Sequence, residues 1–246
     1  MQETVKAMIF AAGVGSRLGS LTADTPKCLI EAGGKTMLEH VIDRLKLAGV
    51  SELVINLHHH PQKILAYLKQ HGNFGCSIDF SLEPVLLDTG GGLKKAANIF
   101  AGQESFFIYN SDVYCDLDLR ELQKTHTSSK RLATLVVMDR QESTYLLFGG
   151  KQQLIGIQKR DGPPNIVQGT SADARKLAFC GIQIVSKEIF QLMPRAKEVF
   201  SIIESYLEAA RHGESVEAFQ LINDYWIDMG SPEKLKELRA RLDLKK

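Results

Sequence analysis

Between Val5 and Tyr109 short apolar runs alternate with stretches of helical periodicity, and this alternation restricts the fold more than any other feature of the chain. Val5–Ala12 (VKAMIFAA) is short, apolar and followed by glycine, as expected of a buried parallel strand that feeds a loop. Thr36–Ala48 carries Met37, Leu38, Val41, Ile42 and Leu45 at helical spacing, with Gly49 as its stop. Leu53–Leu57 reads as a second buried strand, and Pro61 opens a helix running to about His71, ahead of Gly72. Ser77–Leu82 as a strand, Gly92–Ala101 as a helix and Ser105–Tyr109 as a strand continue the series. Such repeated units predict an α/β fold with a mostly parallel central sheet and helices on both faces. Right-handed crossovers then set the loops after the strands along one edge, where ligands bind.

From about residue 140 the rhythm changes. Tyr145–Phe148 and Gln153–Gln158 flank Gly149-Gly150-Lys151 as a predicted hairpin, and Arg160–Arg175, rich in Gly, Pro, Ser and charge, reads as a loop. Ala178–Val185 resumes the sheet. Ser186 and Ser201 are expected to cap helices, and Ser231-Pro232-Glu233 to start the last one. With no internal repeat, the 246 residues read as one domain: a first part over 1–139, a smaller lobe over 140–230 and a terminal helix over 231–246.

A net charge of +1 gives no long-range field to attract nucleic acid or an anionic membrane, so neither is an expected partner. No apolar run approaches the roughly 18 residues of a membrane span, and the N-terminus does not read as a signal peptide. Cys28, Cys76, Cys115 and Cys180 form no CxxC pair and read as buried thiols of a reducing compartment, with cytoplasm the expected location.

Five constellations carry the chemistry. Ala11-Ala12-Gly13-Val14-Gly15-Ser16-Arg17 follows the first strand; its glycines let backbone amides approach an anion, and Arg17 adds a charge suited to phosphate oxygens. Lys27, ten residues on, would let the same loop clamp a triphosphate and neutralise departing pyrophosphate. In Asp88-Thr89-Gly90-Gly91-Gly92, glycines that are costly at a helix start make sense where a base or ribose lies against the backbone. Asn110-Ser111-Asp112 closes an apolar strand, a good place for a carboxylate that holds Mg²⁺. Asp228, in Trp226–Gly230, is a candidate second carboxylate. Each also has a plainer reading: a tight turn, a solvated lysine, a flexible connection, a capping aspartate.

Other motifs fail. A dinucleotide GxGxxG needs glycine where Leu18 stands, and a P-loop ending at Gly34-Lys35-Thr36 needs one where Leu29 stands. His58-His59-His60 lacks metal-site spacing, Asp116-Leu117-Asp118 lies past the strand end and reads as helix capping, and Ser16 has no base partner.

The ordered set Gly-x-Gly-x-Arg-Leu, Pro-Lys, Thr-Gly-Gly-Gly, Ser-Asp and Trp-x-Asp-x-Gly resembles the nucleoside-diphosphate-sugar pyrophosphorylases over nearly the whole chain. LLDTGGGLKKA (86–96), AFCGIQIVS (178–186) and WIDMGSPEKL (226–235) look most like the N-acetylmuramate-1-phosphate uridylyltransferases, with the mannose-1-phosphate guanylyltransferases as the alternative. The resemblance implies a Rossmann-like nucleotidyltransferase fold, a nucleoside triphosphate (UTP first) and a sugar-1-phosphate as partners, and Mg²⁺ as cofactor. It implies Ala11, Ala12, Gly13, Gly15, Arg17, Lys27, Glu83, Thr89, Gly90 and Gly91 for the nucleotide. Asn110, Gly181 and Lys159 would serve the sugar, Asp112 and Asp228 the metal, and Arg17, Lys27 and Asp112 catalysis. The chain departs from the family pattern at Ser20 and Cys28, where prolines are usual, at Ser111, where glycine is, and around Lys159, which lacks the usual Glu-Lys-Pro setting.

The mechanism so implied is direct attack of the sugar-phosphate oxygen on the α-phosphorus, with no general base, because a phosphate monoester is already ionised near pH 7. Two rivals are a metal-dependent glycosyltransferase, which needs no clamp for pyrophosphate, and a nucleotide-sensing subunit that binds without turnover. Either a monomer or a homodimer is compatible with the sequence.

Overall fold

The structure is a computed structural model that describes residues 5–244. In chain order its strands begin with β1 (Lys6–Phe10), β2 (Glu31–Ala32), β3 (Lys35–Thr36), β4 (Glu52–Leu57), β5 (Ser77–Leu82), β6 (Ser105–Asn110) and β7 (Val113–Cys115). They continue with β8 (Ala133–Met138), β9 (Thr144–Phe148), β10 (Leu154–Lys159), β11 (Pro164–Ile166), β12 (Arg175–Ser186), β13 (Val216–Leu221) and β14 (Trp226–Asp228). The α-helices are α1 (Met37–Leu47), α2 (Pro61–Gln70), α3 (Asp88–Lys95), α4 (Leu119–Thr127), α5 (Ile202–Arg211) and α6 (Pro232–Asp243). The class is α/β, with a mixed sheet flanked by helices.

The chain forms two compact units that do not follow a division at residue 139. The first takes the described residues up to Leu86, Tyr109–Leu119 and those from Asp224 onward; the second takes Leu87–Ile108 and Arg120–Asn223. In the first unit β1, β4 and β5 form a parallel ladder, Ile9 opposite Ile55 and Ile55 opposite Phe80. Met8, Ile9, Val54 and Ile55 are fully buried, which is why β1 and β4 read as apolar runs. Thr36 caps α1 by accepting a hydrogen bond from the Glu39 amide at 3.1 Å, and α1 turns Leu38, Val41, Ile42 and Leu45 inward. A cluster of Leu18, Ile30, Met37, Ile227, Met229 and Leu238 ties the loop after β1 to β14 and α6.

In the second unit the sheet is largely antiparallel: β9 with β10 and β12, β10 with β11, and β12 with β8, while β13 runs parallel to β8. The expected hairpin is β9–β10. Within the expected loop 160–175 a short strand is present instead, because β11 pairs with β10 and places Asn165 opposite Ile157. Gly156 makes room for it; a Cβ there would collide with the Asn165 carbonyl. The late strand is longer than Ala178–Val185 and is interrupted by a shift of register between Phe179 and Gln183, at Gly181 with φ 72°. Ser201 caps α5 through the Ile203 amide, but Ser186 precedes only a 3-10 turn and donates its hydroxyl to the Arg131 carbonyl at 2.7 Å. All four cysteines are buried and free, and burial pushes Cys28 and Cys115 up to about 12. Among the described residues no helix is long and apolar enough to cross a membrane.

Candidate active site

The loop that follows β1 is held from beneath by two buried side chains, Asn56 and Glu83. The Ala11 amide donates to Asn56 Oδ1 at 2.8 Å, and Asn56 Nδ2 donates to Glu83 Oε1 at 2.7 Å. Glu83 is 2% exposed, and its carboxylate bears on the loop through Asn56. Ala11 and Ala12 are buried, whereas Gly13 is exposed and a Cβ added to it would meet nothing within 4 Å. Gly15 adopts φ 72°, a conformation that favours glycine, and starts a 3-10 stretch over Ser16–Thr22. The Thr22 hydroxyl donates to the Gly15 carbonyl at 3.0 Å, and a Cβ on Gly15 would stand 3.1 Å from Lys27 Cβ. The loop therefore folds directly over Lys27.

Lys27 is ion-paired with Asp112, their side chains 12% and 24% exposed. Asp112 follows β6, where the Ser111 amide donates to the Phe10 carbonyl at 3.1 Å and so fixes this turn beside the end of β1. The antiparallel pair β7–β14 then sets Asp228 opposite Val113, the residue after Asp112. The Met229 amide donates to the Asp112 carbonyl at 2.7 Å, which fastens the two aspartate-bearing turns together. Gly230 lies between further groups: a Cβ there would collide with Asp228 Oδ1 and stand 3.5 Å from Arg17 Nη2. Arg17, Lys27, Asp112 and Asp228, far apart in sequence, thus share one unit and one locality.

Sequence reasoning missed two members of this constellation. Asn56 is one. The other is Lys234, whose Nζ lies 2.5 Å from Asp228 Oδ2. Ser231 caps α6 by accepting from the Lys234 amide at 3.4 Å, which puts Lys234 in the first turn, facing the end of β14. A cation three residues after a Ser-Pro helix start was the available signal.

Two carboxylates brought together by a strand ladder, each already holding an ammonium group, form an oxygen-donor set suited to a small divalent cation. Among the described residues no cluster of three or more His, Cys, Asp or Glu side chains could hold a metal. Asp112 and Asp228 would therefore leave most positions to water and phosphate oxygens, as Mg²⁺ prefers.

Of the remaining expected residues, Asn110 shares the first unit with Asp112, whereas Thr89, Gly90, Gly91, Lys159 and Gly181 belong to the second. The glycine triplet is inside α3 rather than ahead of a helix at Gly92; Asp88 opens it with φ 59°. The Gly90 and Gly91 amides donate to the Phe200 carbonyl at 2.9 and 3.2 Å, and a Cβ on Gly91 would collide with the Glu198 carbonyl. The Thr89 hydroxyl accepts from the Ile202 amide at 3.0 Å. Close backbone packing within the second unit thus accounts for glycine at 90 and 91 without a base or ribose. Asn110 ends β6, Lys159 ends β10 as an exposed residue, and Gly181 is the positive-φ residue of β12. Asp116 accepts from Arg44 at 2.8 Å and pairs with Arg241 at 3.5 Å.

A glycine loop, two cations and two registered carboxylates on an α/β frame define a phosphate-handling enzyme class, and similarity to known proteins narrows it. The model of the family Nucleotidyl transferase matches residues 6–244, and the chain belongs to that family. Mannose-1-phosphate guanyltransferase of Yarrowia lipolytica is 33% identical over 237 residues, covering 93% of this chain and 61% of that protein. The Candida albicans protein of that name is 31% identical over 235 residues, covering 93% of this chain and 62% of its own length. The chain thus spans about three-fifths of these relatives. HddC from Yersinia pseudotuberculosis superposes with a TM-score of 0.77 at 23% identity, covering 97% of this chain and 99% of its own. UDP-glucose pyrophosphorylase from Acinetobacter baumanii does so with a TM-score of 0.80 at 18% identity, covering 98% and 94%. At such identities the likeness concerns the fold.

Proposed function

We propose that the protein transfers a nucleoside monophosphate from a nucleoside triphosphate to a sugar-1-phosphate and releases pyrophosphate. The observation behind this reading is the β7–β14 ladder, with Asp228 opposite Val113, the residue after Asp112, together with the Lys27–Asp112 ion pair and the approach of Arg17 to Gly230. The exposed Gly13 leaves its backbone open to phosphate oxygens, and Arg17 and Lys27 neutralise the charge that builds on the departing pyrophosphate. Asp112 and Asp228 would hold Mg²⁺, which when bound supplies charge neutralisation to the triphosphate. The sugar phosphate attacks as an anion, so the chain contributes position and charge, and no proton needs to be removed. For a nucleoside contact at Thr89, Gly90 and Gly91, and for sugar contacts at Asn110, Gly181 and Lys159, resemblance is the support.

For the substrates, the relatives favour a guanine nucleotide and mannose-1-phosphate, since several at 30–33% identity carry that name. The second reading, UTP with N-acetylmuramate-1-phosphate, rests on the segments 86–96, 178–186 and 226–235, and on the exposed cation Lys159 as a partner for a lactyl carboxylate. One assay separates them: four nucleoside triphosphates against mannose-, glucose- and N-acetylmuramate-1-phosphate, with pyrophosphate as readout. GTP with mannose-1-phosphate is expected to be turned over best. Best turnover with UTP and N-acetylmuramate-1-phosphate would select the second reading, and no release from any pair would remove the transferase reading.

A further inference from the structure

The two candidate metal carboxylates are not free in the protein: each is held by a lysine, and the two lysines differ in kind. Lys27 belongs to the phosphate clamp already described. Lys234 lies in the segment WIDMGSPEKL without an assigned role, comes from the first turn of α6 and points its ammonium at Asp228 from a side chain 41% exposed, against 19% for the carboxylate. The placement is built rather than incidental. Ser231 fixes the start of the helix through the Lys234 amide, Pro232 presets its first turn, and Leu235 and Leu238 anchor it in the core shared with Ile227 and Met229. Asp228 is fixed from the other side by its ladder to β7. The ion pair is therefore a contact between two held elements, which removes much of the entropic cost that weakens surface pairs.

We propose that Lys234 is the resident counter-ion of Asp228, a positioning residue that keeps this carboxylate oriented toward the site and is displaced when a divalent cation binds. The inference rests on the reading of Asp112 and Asp228 as metal ligands. Ammonium and metal compete for one oxygen pair, so Lys234 sets the metal concentration at which the site fills. The pair is only partly withdrawn from water, so the competition is modest, on the order of two- to fivefold in apparent affinity. The guanidinium of Lys234→Arg is also a cation in reach and keeps the competition, whereas the amide of Lys234→Gln does not.

The test is Mn²⁺ binding by electron paramagnetic resonance on the full chain, without nucleotide, for wild type, K234R, K234Q, D228N and D228N/K234Q. Expected are two- to fivefold tighter Mn²⁺ binding in K234Q, wild-type binding in K234R, weak binding in D228N, and no further change in the double variant. Unchanged or weaker binding in K234Q, with D228N still weak, would overturn the counter-ion role and leave the metal ligands in place. Equal binding in wild type and D228N would overturn both. Because the cap uses the Lys234 backbone, α6 survives either substitution; a helical circular dichroism signal lost in K234Q but kept in K234R would instead mark a structural role and overturn the inference.

Discussion

Asp112 pairs with Lys27 through its carboxylate and accepts a hydrogen bond from the Met229 amide through its carbonyl, so one residue joins Lys27 to the turn that carries Asp228. Asp112→Asn keeps the shape and removes the charge; pyrophosphate release should fall roughly 10²- to 10³-fold in kcat at saturating magnesium, the scale of losing one preorganised electrostatic group. Retained full release would contradict the assignment. Asn56 gives a different kind of prediction. Asn56→Ala removes the hydrogen bonds that Asn56 makes with the Ala11 amide and the Glu83 carboxylate, which should lower unfolding free energy by about 1–3 kcal/mol in a urea titration and raise the KM for nucleotide. At this scale the charged members were legible because a triphosphate demands cations and a metal demands carboxylates. Asn56 and Glu83 were not assigned their supporting role, because a buried amide beneath a loop carries no mark in sequence.

The glycine triplet and the short strand 164–166 are where element-level reading failed, and for the same reason. Glycine is a poor helix former, so Asp88–Gly92 reads as a loop; the helix nevertheless starts there because only a bare backbone lets residues 198–200 approach so closely. Gly91→Ala, which in an open helix would gain about 1 kcal/mol, should here cost about 1–3 kcal/mol by overpacking. A raised thermal midpoint would disprove this packing. The apolar runs β1 and β4, by contrast, were legible almost to the residue, since their burial on both faces leaves little room for another composition. His126, on α4, joins β8 and β12: its Nδ1 lies 3.0 Å from Thr134 Oγ1 and its Nε2 3.2 Å from Ser186 Oγ. Burial, then the nearby Arg131 charge, lowers its pKa from 6.5 to about 4. Between those values the unfolded chain binds a proton the fold refuses, so stability declines as pH falls from 6.5 to 4, by about 3 kcal/mol at the lower end. Urea titrations at pH 7 and 4.5 should show a smaller loss in His126→Gln than in wild type; equal losses would contradict the assignment.

At the scale of the molecule, the family match over residues 6–244 spans both units. The class was legible because several individually ambiguous motifs occur in one order along the chain. The base and the sugar were not, since backbone contacts to a base leave little residue-type signature and the segment between residues 140 and 185 is the least regular in pattern. A ligand that binds only the folded chain must stabilise it, so magnesium with the preferred nucleotide at about 100 times its Kd should add roughly 2.7 kcal/mol. A thermal midpoint indifferent to every nucleotide would contradict a nucleotide site. The central claim, direct transfer to a sugar phosphate, is tested most directly by following oxygen. With sugar-1-phosphate carrying ¹⁸O in its non-bridging phosphate oxygens, all label should appear in the nucleotide sugar, one atom of it bridging the two phosphorus atoms, and none in pyrophosphate. Label in pyrophosphate, or turnover that yields no labelled diphosphate, would contradict the account.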